Sequence, residues 1–473
     1  MSVYLLVDFG STYTKILAVD LAEETILGRA QSPTTIETDV TIGLNEALVE
    51  LVDVCGVDLD RVEGKYASSS AAGGLKMVAI GLVPELTLEA ARRACLGAGA
   101  KLVSGYGFEI DKEIVEAIEA ARCDIILLCG GTDGGDKKTI THNARMLAHS
   151  AVDCPILVAG NRAATDTVKE VLEKHGKKVY KAGNVLPSLE TVEVEPAQEL
   201  IREIFIAHIT HAKGLDKAAG FVGGPIIPTP RASLQAAALL ADGAEGEQGI
   251  GSLLVVEVGG ATTNIHSVME QSLVTPQTVL RGLPESRVKR TVEGDLGIRY
   301  NAPTIYGFVG KESFLQRLRE LYPAVDEQGF DPDAHIDYLS KNVGHTPTVE
   351  LELAADIVLA RSAASIAVER HAGTVKQEFS VMGEILVQRG KNLLDAENVI
   401  GTGGIFRYGL HPETVLQAAL FSPETPWSLR PRAPKTFIDR DYMLYGIGLL
   451  ATNHPVQALR IAKRYLKPSE INS

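Results

Sequence analysis

The chain lacks the features that mark several specialised classes of protein. Its five cysteines include no C-x-x-C pair, which argues against a zinc ribbon or an iron–sulfur cluster held by one chain and fits reduced thiols of a cytoplasmic protein. No apolar run reaches the roughly 20 residues that cross a bilayer, and no basic leader precedes an apolar segment, so neither membrane residence nor secretion is expected. The 11 histidines form neither H-x-x-x-H nor H-E-x-x-H, and we interpret them as core or surface residues.

Positive charge is also scarce. The formal net charge is −14 and the pI is about 5.4, without a local cluster of lysine and arginine. Such a surface repels a phosphate backbone, so nucleic acid is not an expected partner. With 473 residues, 45% of them hydrophobic, the chain is long enough for two or more globular domains with separate cores.

Two glycine-centred segments stand out, because each begins with an acid directly after an apolar, strand-like run. A carboxylate at a strand end, followed by a glycine turn rich in hydroxyls, offers an anchor for magnesium and backbone N–H groups for phosphate oxygens. Two such hairpins facing one another would form a nucleotide clamp. The segments are Asp8-Phe-Gly-Ser-Thr-Tyr-Thr-Lys15 and Glu257-Val-Gly-Gly-Ala-Thr-Thr-Asn264.

The rest of the chain predicts an α/β protein with an insertion. Short apolar strands at 124–129, 155–158 and 178–180 alternate with helical patterns at 137–148 and 163–174, as expected of a parallel sheet. Farther on, the pattern predicts helices at 312–321, 349–370 and 377–389, whereas 242–251 has the composition of a flexible loop. The predicted division is 1–64 as first lobe with phosphate loop 1, 65–190 as inserted α/β module, 191–252 as return to the first lobe with a connecting helix, and 253–473 as second lobe with phosphate loop 2 and an adenosine motif.

Further motifs complete a resemblance. Gly401-Thr-Gly-Gly404 follows an apolar strand, Tyr445-Gly446 lies in a terminal helix, and Thr229-Pro230 precedes an alanine-rich helix. In this order with the two hairpins, they resemble the superfamily of actin, sugar kinases and heat-shock-chaperone ATPases. The resemblance implies an actin-like ATPase fold, with two ribonuclease-H-like lobes and nucleotide in the cleft between them.

Within that superfamily, the chain is similar to the accessory proteins of adenosylcobalamin-dependent glutamate mutase, of the MutL or GlmL type. This implies an ATP-binding, chaperone-like protein that reactivates a mutase, expected to be glutamate mutase. Its cofactors would be ATP or ADP and magnesium, without tightly bound cobalamin or an iron–sulfur cluster. Whether the chain forms a homo-oligomer is left open by the sequence. The supporting residues are Ser68-Ser-Ser-Ala-Ala-Gly-Gly-Leu75, Gly81-Leu-Val-Pro-Glu-Leu86, Gly130-Gly-Thr-Asp-Gly-Gly135 and Arg290-Thr-Val-Glu-Gly-Asp-Leu-Gly297.

The motifs assign roles to individual residues. Asp8 and Glu257 would hold magnesium through water, Lys15 would neutralise phosphate charge, and Thr262 would bind the γ-phosphate or, with Asn264, orient the attacking water. The remaining candidates would line the nucleotide with backbone N–H groups or seat the adenosine; they are Gly10, Ser11, Thr12, Gly259, Gly260, Ala261, Gly401, Thr402, Gly403 and Gly404.

Departures from the superfamily pattern leave the activity open. Glu257 stands where Asp is usual, Asn264 where Asp or His is frequent, and Thr229 where the chaperones have Glu, so slow ATP hydrolysis is expected, if any. The alternatives are a small-molecule kinase, which needs a catalytic Asp base, an actin-like filament or scaffold ATPase, and a dehydratase activator, which needs cluster cysteines. Two segments stay open: residues 130–135 as a mobile or partner-contacting loop or an ordinary turn, and 290–299 as a segment facing nucleotide or a solvated loop.

Overall fold

A computed structural model describes residues 2–10, 12–35, 39–70, 75–98, 100–208, 215–380 and 383–469. Tertiary contacts divide the chain into two compact units. One comprises Met1–Ala71, Lys217–Pro225 and Ala232–Ser473, and the other comprises Ala72–Asp216 and Ile226–Arg231. In the described ranges no helix is long and apolar enough to cross a membrane.

The first unit opens with a sheet ordered β3-β2-β1-β4. β1 pairs antiparallel with β2 and parallel with β4, and β2 pairs antiparallel with β3. The last five residues of β1 are all buried, as expected of a central strand covered on both faces. The predicted first hairpin is confirmed. The elements are β1 (Val3–Phe9), β2 (Tyr13–Asp20), β3 (Thr25–Pro33), α1 (Val40–Cys55) and β4 (Val62–Ser69).

The second unit contains a parallel sheet ordered β6-β5-β7-β8-β9. This is a doubly wound order: β6 is added on one side of β5 and β7 to β9 on the other, so the strand order switches between β5 and β7. Its strands and helices alternate as the sequence predicts, although β4 crosses the predicted start at residue 65; the bounds of the predicted segments stay a prediction. The elements are β5 (Lys76–Ile80), α2 (Glu89–Gly97), β6 (Lys101–Tyr106), α3 (Lys112–Ala121), β7 (Ile125–Leu128), α4 (Lys138–Ala148), β8 (Ile156–Val158), α5 (Arg162–Glu173), β9 (Val179–Lys181) and α6 (Glu195–His208).

The glycine-rich loop after β7 is held from below by two buried asparagines. Asn161 accepts a hydrogen bond from Gly134 N at 3.0 Å, and its Nδ2 donates to the carbonyls of Gly135 and Asp136. Asn184 donates to Gly131 O at 3.1 Å. A Cβ on Gly131 would lie 2.3 Å from Asp136 O, so close packing accounts for this glycine. The loop is therefore a built turn with an exposed tip at Gly134 and Gly135.

The remaining elements follow in chain order, and the sheet of the second lobe begins with β13. They are α7 (Leu215–Val222), β10 (Ile226–Pro228), α8 (Thr229–Asp242), β11 (Gly243–Ala244), β12 (Glu247–Gln248), β13 (Leu253–Val258), β14 (Thr263–Val268), β15 (Val279–Arg281), β16 (Val288–Glu293), α9 (Ala302–Val309), α10 (Lys311–Leu321), α11 (Pro332–Lys341), α12 (Glu350–His371), β17 (Thr374–Ser380), β18 (Gly383–Arg389), β19 (Asn398–Thr402), α13 (Gly404–Tyr408), α14 (Glu413–Gln417), β20 (Lys435–Ile438), α15 (Leu444–Leu450), α16 (Pro455–Tyr465) and β21 (Lys467–Ser469).

The second lobe repeats the pairing pattern of the first. In the sheet β16-β14-β13-β19-β20-β21, β13 pairs antiparallel with β14 and parallel with β19, and β14 pairs antiparallel with β16. Thus β16-β14-β13-β19 corresponds strand for strand to β3-β2-β1-β4. Helix α15 returns to the first lobe, where Tyr445 Oη donates to Leu6 O at 3.2 Å. The predicted fold class, an actin-like ATPase fold with two ribonuclease-H-like lobes and an inserted α/β module, is confirmed.

Two predictions of local structure are wrong. The predicted helix at 377–389 is the β17–β18 hairpin, in which Thr374 pairs with Arg389 and Ser380 with Gly383. Val375, Phe379, Ile385 and Val387 have strand propensity, and Gly383, with φ of +110°, begins the second strand. The loop at 242–251 contains the short pair β11–β12. Residues 71–74 of the 68–75 motif lie outside the described residues.

Candidate functional site

The two predicted phosphate loops have the same backbone design. In the first, Gly10 N donates to Tyr13 O at 3.0 Å, and in the second, Gly259 N donates to Thr262 O at 3.0 Å. The strands then pair Asp8 with Lys15 and Glu257 with Asn264. The acid and its partner therefore occupy equivalent positions in the two hairpins.

In the first hairpin the acid is buried and engaged. Asp8 is 1% exposed, its Oδ2 lies 3.1 Å from Lys15 Nζ, and its Oδ1 accepts from Ser68 Oγ at 3.1 Å. Ser68 belongs to β4, which pairs with β1 beside Asp8. The predicted residues Asp8 and Lys15 are thus brought together, and the 68–75 motif contributes Ser68 to the same cluster.

Tyr442 completes this cluster from the second lobe and was not predicted. Its hydroxyl lies 3.4 Å from Lys15 Nζ, which also lies 4.4 Å from the centre of its ring. Burial works to lower the pKa of Lys15, but Tyr442 and Asp8 raise it above its ordinary value, so the amine stays charged. Tyr442 has a φ of +51°, a conformation that costs energy for a bulky residue and tends to occur at functional sites.

In the second hairpin Glu257 is held by a polar chain. Its Oε2 accepts from Asn264 Nδ2 at 3.3 Å and lies 3.4 Å from His266 Nε2. Arg290 Nη2 donates to Asn264 Oδ1 at 3.4 Å. Burial works to raise the pKa of Glu257, but the hydrogen bond from His266 and the charges of Arg290 and Lys15 hold it below its ordinary value. Lys15 and Glu257 are therefore both ionised at neutral pH.

The contact network bears on two of the interpretations made from the sequence. Asn264, a candidate for orienting water, is 6% exposed and uses its side chain on Glu257 and Arg290. Residues 290–293 form the end of β16 rather than a solvated loop, and Arg290 is buried. The sequence signal that could have found Arg290 is its position two residues from both Val288 and Val292, which places it on the same face of a strand as these apolar residues.

The segment after β16 supports phosphate loop 2 from behind. Ile298 N donates to Gly259 O at 3.1 Å and Arg299 N to Gly260 O at 2.9 Å, while Asn301 Nδ2 donates to Ala261 O at 3.1 Å. Within the described part of the chain, the N–H groups of Gly260 and Ala261 donate to no other backbone group. The carbonyls of the loop are thus engaged, and its N–H groups are donors of the kind that can bind an anionic ligand.

Packing fixes this support segment tightly. A Cβ on Gly297 would lie 2.2 Å from the carbonyl carbon of Ala261, so only glycine fits there. Arg299 makes a two-pronged ion pair with Asp356 of α12, at 2.9 and 2.6 Å, and both side chains are buried. Planar guanidinium–carboxylate pairs of this kind fix orientation as well as charge.

The two loops face one another. A Cβ on Gly260 would lie 3.7 Å from Thr12 Oγ1, and Tyr13 Oη lies 3.2 Å from Thr346 Oγ1 in the second lobe. Thr262, at the end of the second turn, is half-buried. Ser11 lies outside the described residues.

The predicted adenosine motif lies beside the second hairpin. β19 pairs with β13 so that Thr402 is opposite Glu257. Gly403 has a φ of +111°, and a Cβ there would lie 2.4 Å from Val258 O, whereas a Cβ on Gly404 would meet nothing within 4 Å. Thr402 Oγ1 donates to Asp439 at 2.9 Å, and Asp439 also accepts from Met443 N and Leu444 N at the start of α15.

The carboxylates fit magnesium in chemistry. Oxygen ligands suit this ion, which usually keeps several waters and is shared with substrate phosphates. Among the described residues no group of three or more His, Cys, Asp and Glu side chains could hold a metal.

The duplicated sheets, each headed by a hairpin of the same register, define a protein of the actin-like ATPase fold. A family model described as "MutL protein" matches residues 4–466, and the chain belongs to this family. "Protein MutL" of Clostridium tetanomorphum is 45% identical over 467 residues, which cover 98% of this chain and 99% of the relative. The resemblance found in the sequence is confirmed.

Solved structures resemble the chain only distantly. A ligand-bound xylulose kinase from Lactobacillus acidophilus is 11% identical with a TM-score of 0.35, covering 99% of this chain and 93% of its own. A glycerol dehydratase reactivase is 10% identical with a TM-score of 0.34, covering 95% and 99%.

Proposed function

We propose that the protein is an ATP-binding accessory protein that reactivates an adenosylcobalamin-dependent mutase, with glutamate mutase as the expected partner. The observation that carries the nucleotide part is the pair of facing hairpins, with Asp8–Lys15 and Glu257–Asn264 at equivalent positions. Membership of the MutL family supports the accessory role. The cytoplasmic location stays a prediction.

In this proposal the phosphates of ATP lie between the two loops. N–H groups of Gly260 and Ala261 would bind phosphate oxygens, Lys15 would supply positive charge, and the 401–404 motif would seat the adenosine. Magnesium, when bound between the phosphates and the carboxylates of Asp8 and Glu257, would neutralise phosphate charge. Because the residues come from both lobes, triphosphate and diphosphate would favour different degrees of closure.

Hydrolysis would be slow without a partner. Asn264 is neutral and already bonded to Glu257 and Arg290, so it is poorly suited to activate water. Slow turnover suits a switch, which needs one hydrolysis event per encounter with its partner. Single-turnover phosphate release should be slow for the protein alone and faster with the mutase, and fast partner-free release would contradict the switch.

The partner would be recognised by the inserted module. The tip of the 130–135 loop is exposed at Gly134 and Gly135, and Asn161 and Asn184 fix its base. A rigid, exposed loop loses little entropy when it binds. Replacing Thr132, Asp133 and Asp136 by Ala should leave ATP binding intact and abolish reactivation of inactivated mutase; full reactivation by this variant would refute the role of the loop.

The nucleotide and partner claims have separate tests. A ligand that binds only the folded state raises the melting temperature, so the protein should melt at a higher temperature with Mg-ATP than without it. Identical melting temperatures and no heat of binding in calorimetry at millimolar nucleotide would refute the nucleotide claim. For the partner, the full chain is immobilised with and without ATP and challenged with purified glutamate mutase. If ATP binds but no cobalamin enzyme is retained or reactivated, only the partner claim fails.

A further inference from the structure

The fold of the inserted module brings together two cysteines that the sequence places 31 residues apart. Cys123 stands two residues before β7 and Cys154 two residues before β8. The two strands are parallel neighbours, with Ile126 opposite Ile156, so the amino ends of both strands lie at one edge of the sheet. There the two sulfur atoms are 3.7 Å apart.

We propose that Cys123 and Cys154 form a redox-modification site, a dithiol that is oxidised to an intramolecular disulfide by a small-molecule disulfide such as oxidised glutathione. Both residues are partly exposed, so a small oxidant can reach them. This site is independent of the proposed nucleotide function.

The geometry requires little movement. The S–S bond length is about 2.05 Å, so the sulfurs must approach by about 1.7 Å, which small rotations about the Cα–Cβ bonds can supply. Cys154 precedes Pro155, outside the hydrogen-bonded body of β8. The strand pairing of β7 and β8 is therefore not disturbed by such a rotation.

The electrostatics identify the attacking sulfur. The hydrogen bond from Cys154 lowers the pKa of the Cys123 thiol and, reciprocally, raises the pKa of Cys154. A thiolate is the attacking species in thiol–disulfide exchange. Cys123 is thus the first nucleophile and Cys154 the resolving thiol.

Oxidised glutathione accepts the two electrons that the two cysteines lose, in two steps of thiol–disulfide exchange. Cys123 thiolate attacks one sulfur of oxidised glutathione, breaks its S–S bond and releases one glutathione thiolate. Cys154, once deprotonated, attacks the Cys123 sulfur of the mixed disulfide and releases the second. The two cysteine protons pass to the two glutathione thiolates, so the protein loses two electrons and two protons and one disulfide becomes two thiols.

The other cysteines are internal controls. Burial raises the pKa of Cys95 and Cys129, which makes both thiols unreactive. Cys55 is partly exposed, but its sulfur donates to Arg29 O at 3.5 Å rather than to another thiol. Cys55 can form a mixed disulfide with glutathione but has no resolving partner among the described residues.

The crosslink would join the two strands that lead to the 130–135 loop and to the residue that supports it. β7 carries the 130–135 loop at its carboxyl end, and β8 carries Asn161, which fixes that loop. A disulfide at the amino ends ties these two strands to each other. It also constrains the unfolded chain across a 31-residue separation, which raises the stability of the oxidised form.

The test equilibrates the full-length protein in glutathione buffers of increasing oxidised fraction, quenches in acid, alkylates free thiols and maps the peptides by mass spectrometry. The expected result is a Cys123–Cys154 disulfide that forms before any other, with Cys95 and Cys129 alkylated. In the matched variant Cys55→Ser, the fraction of oxidised glutathione at which half of the Cys123–Cys154 disulfide has formed should be unchanged. The variant Cys154→Ser should leave Cys123 as a mixed disulfide, and oxidation should then no longer raise the melting temperature.

Two outcomes overturn the proposal. One is that Cys123 and Cys154 are both recovered alkylated under conditions in which Cys55 is glutathionylated. The other is that either of them is found joined to a different cysteine. Both outcomes are read on the wild-type chain, so the conclusion does not depend on the folding of a variant.

Discussion

Lys15 is the residue whose replacement tests the nucleotide site most directly. Its amine lies 3.1 Å from Asp8 and 3.4 Å from the Tyr442 hydroxyl, with 16% of its side chain exposed. We expect Lys15→Met, which keeps much of the apolar stem and removes the charge, to weaken ATP binding and to leave adenosine binding almost unchanged. The phosphates carry the negative charge that Lys15 would meet, and adenosine has none.

The expected loss of ATP affinity follows from the partly buried position of Lys15. A hydrogen bond to a charged group contributes about 1.5–3 kcal/mol, which corresponds to a loss of about 10- to 150-fold in ATP affinity. The variant also leaves Asp8, which is 1% exposed, with a weaker set of partners, and breaking a buried pair costs about 3–5 kcal/mol of stability. The additional change Asp8→Asn should recover much of that stability, because it removes the buried charge, but it should not restore ATP binding.

The assay is calorimetric titration with ATP and with adenosine, together with melting of the unliganded protein. Tyr442→Phe is the matched control, because it keeps the ring beside the amine and removes only the hydroxyl. We expect this variant to bind ATP about threefold more weakly, because it loses a hydrogen bond that contributes about 0.5–1 kcal/mol. If Lys15→Met weakens ATP and adenosine equally, Lys15 acts through the fold and the assigned role is wrong.

Three further predictions concern the second lobe. Asn264→Asp should raise the single-turnover rate of phosphate release, because it adds a base beside Glu257; an unchanged or slower rate would count against the proposed cause of slow hydrolysis. Gly403→Ala should lower the melting temperature, since its Cβ would lie 2.4 Å from Val258 O, whereas Gly404→Ala, with open space at its Cβ, should leave it unchanged in the unliganded protein; equal effects would contradict this packing argument. Burial raises the pKa of Asp439 from 3.8 to about 6. Between these pH values the carboxyl group is protonated in the folded state and ionised in the unfolded state. The free energy of unfolding should therefore fall as pH rises from about 4 to 6 and then level off. Denaturation at several pH values should show this slope, and Asp439→Asn should flatten it; equal slopes would disprove the shift.

Several elements were predictable because their signal is local. The strand–turn–strand pattern around Gly10 and Gly259 gave both hairpins, and the alternating runs after residue 120 gave the parallel sheet of the insert. The prediction failed at 377–389, where polar residues such as Gln377 and Glu384 permit either a helix or an exposed hairpin. There the pairing of β17 with β18 decides, and that pairing is a tertiary contact.

The amino-acid sequence by itself determined the positions of the glycine turns, because turn chemistry depends on neighbouring residues. Its motifs also carried the resemblance that implied the fold class and the family. Only the tertiary structure decided which distant side chains meet. Tyr442 reaches Lys15 across 427 residues, residues 298–301 support the loop at Gly260, and parallel pairing of β7 with β8 brings Cys123 beside Cys154. These contacts follow from strand order and register, which are fixed by burying the apolar faces of whole elements at once, and no spacing along the chain encodes them.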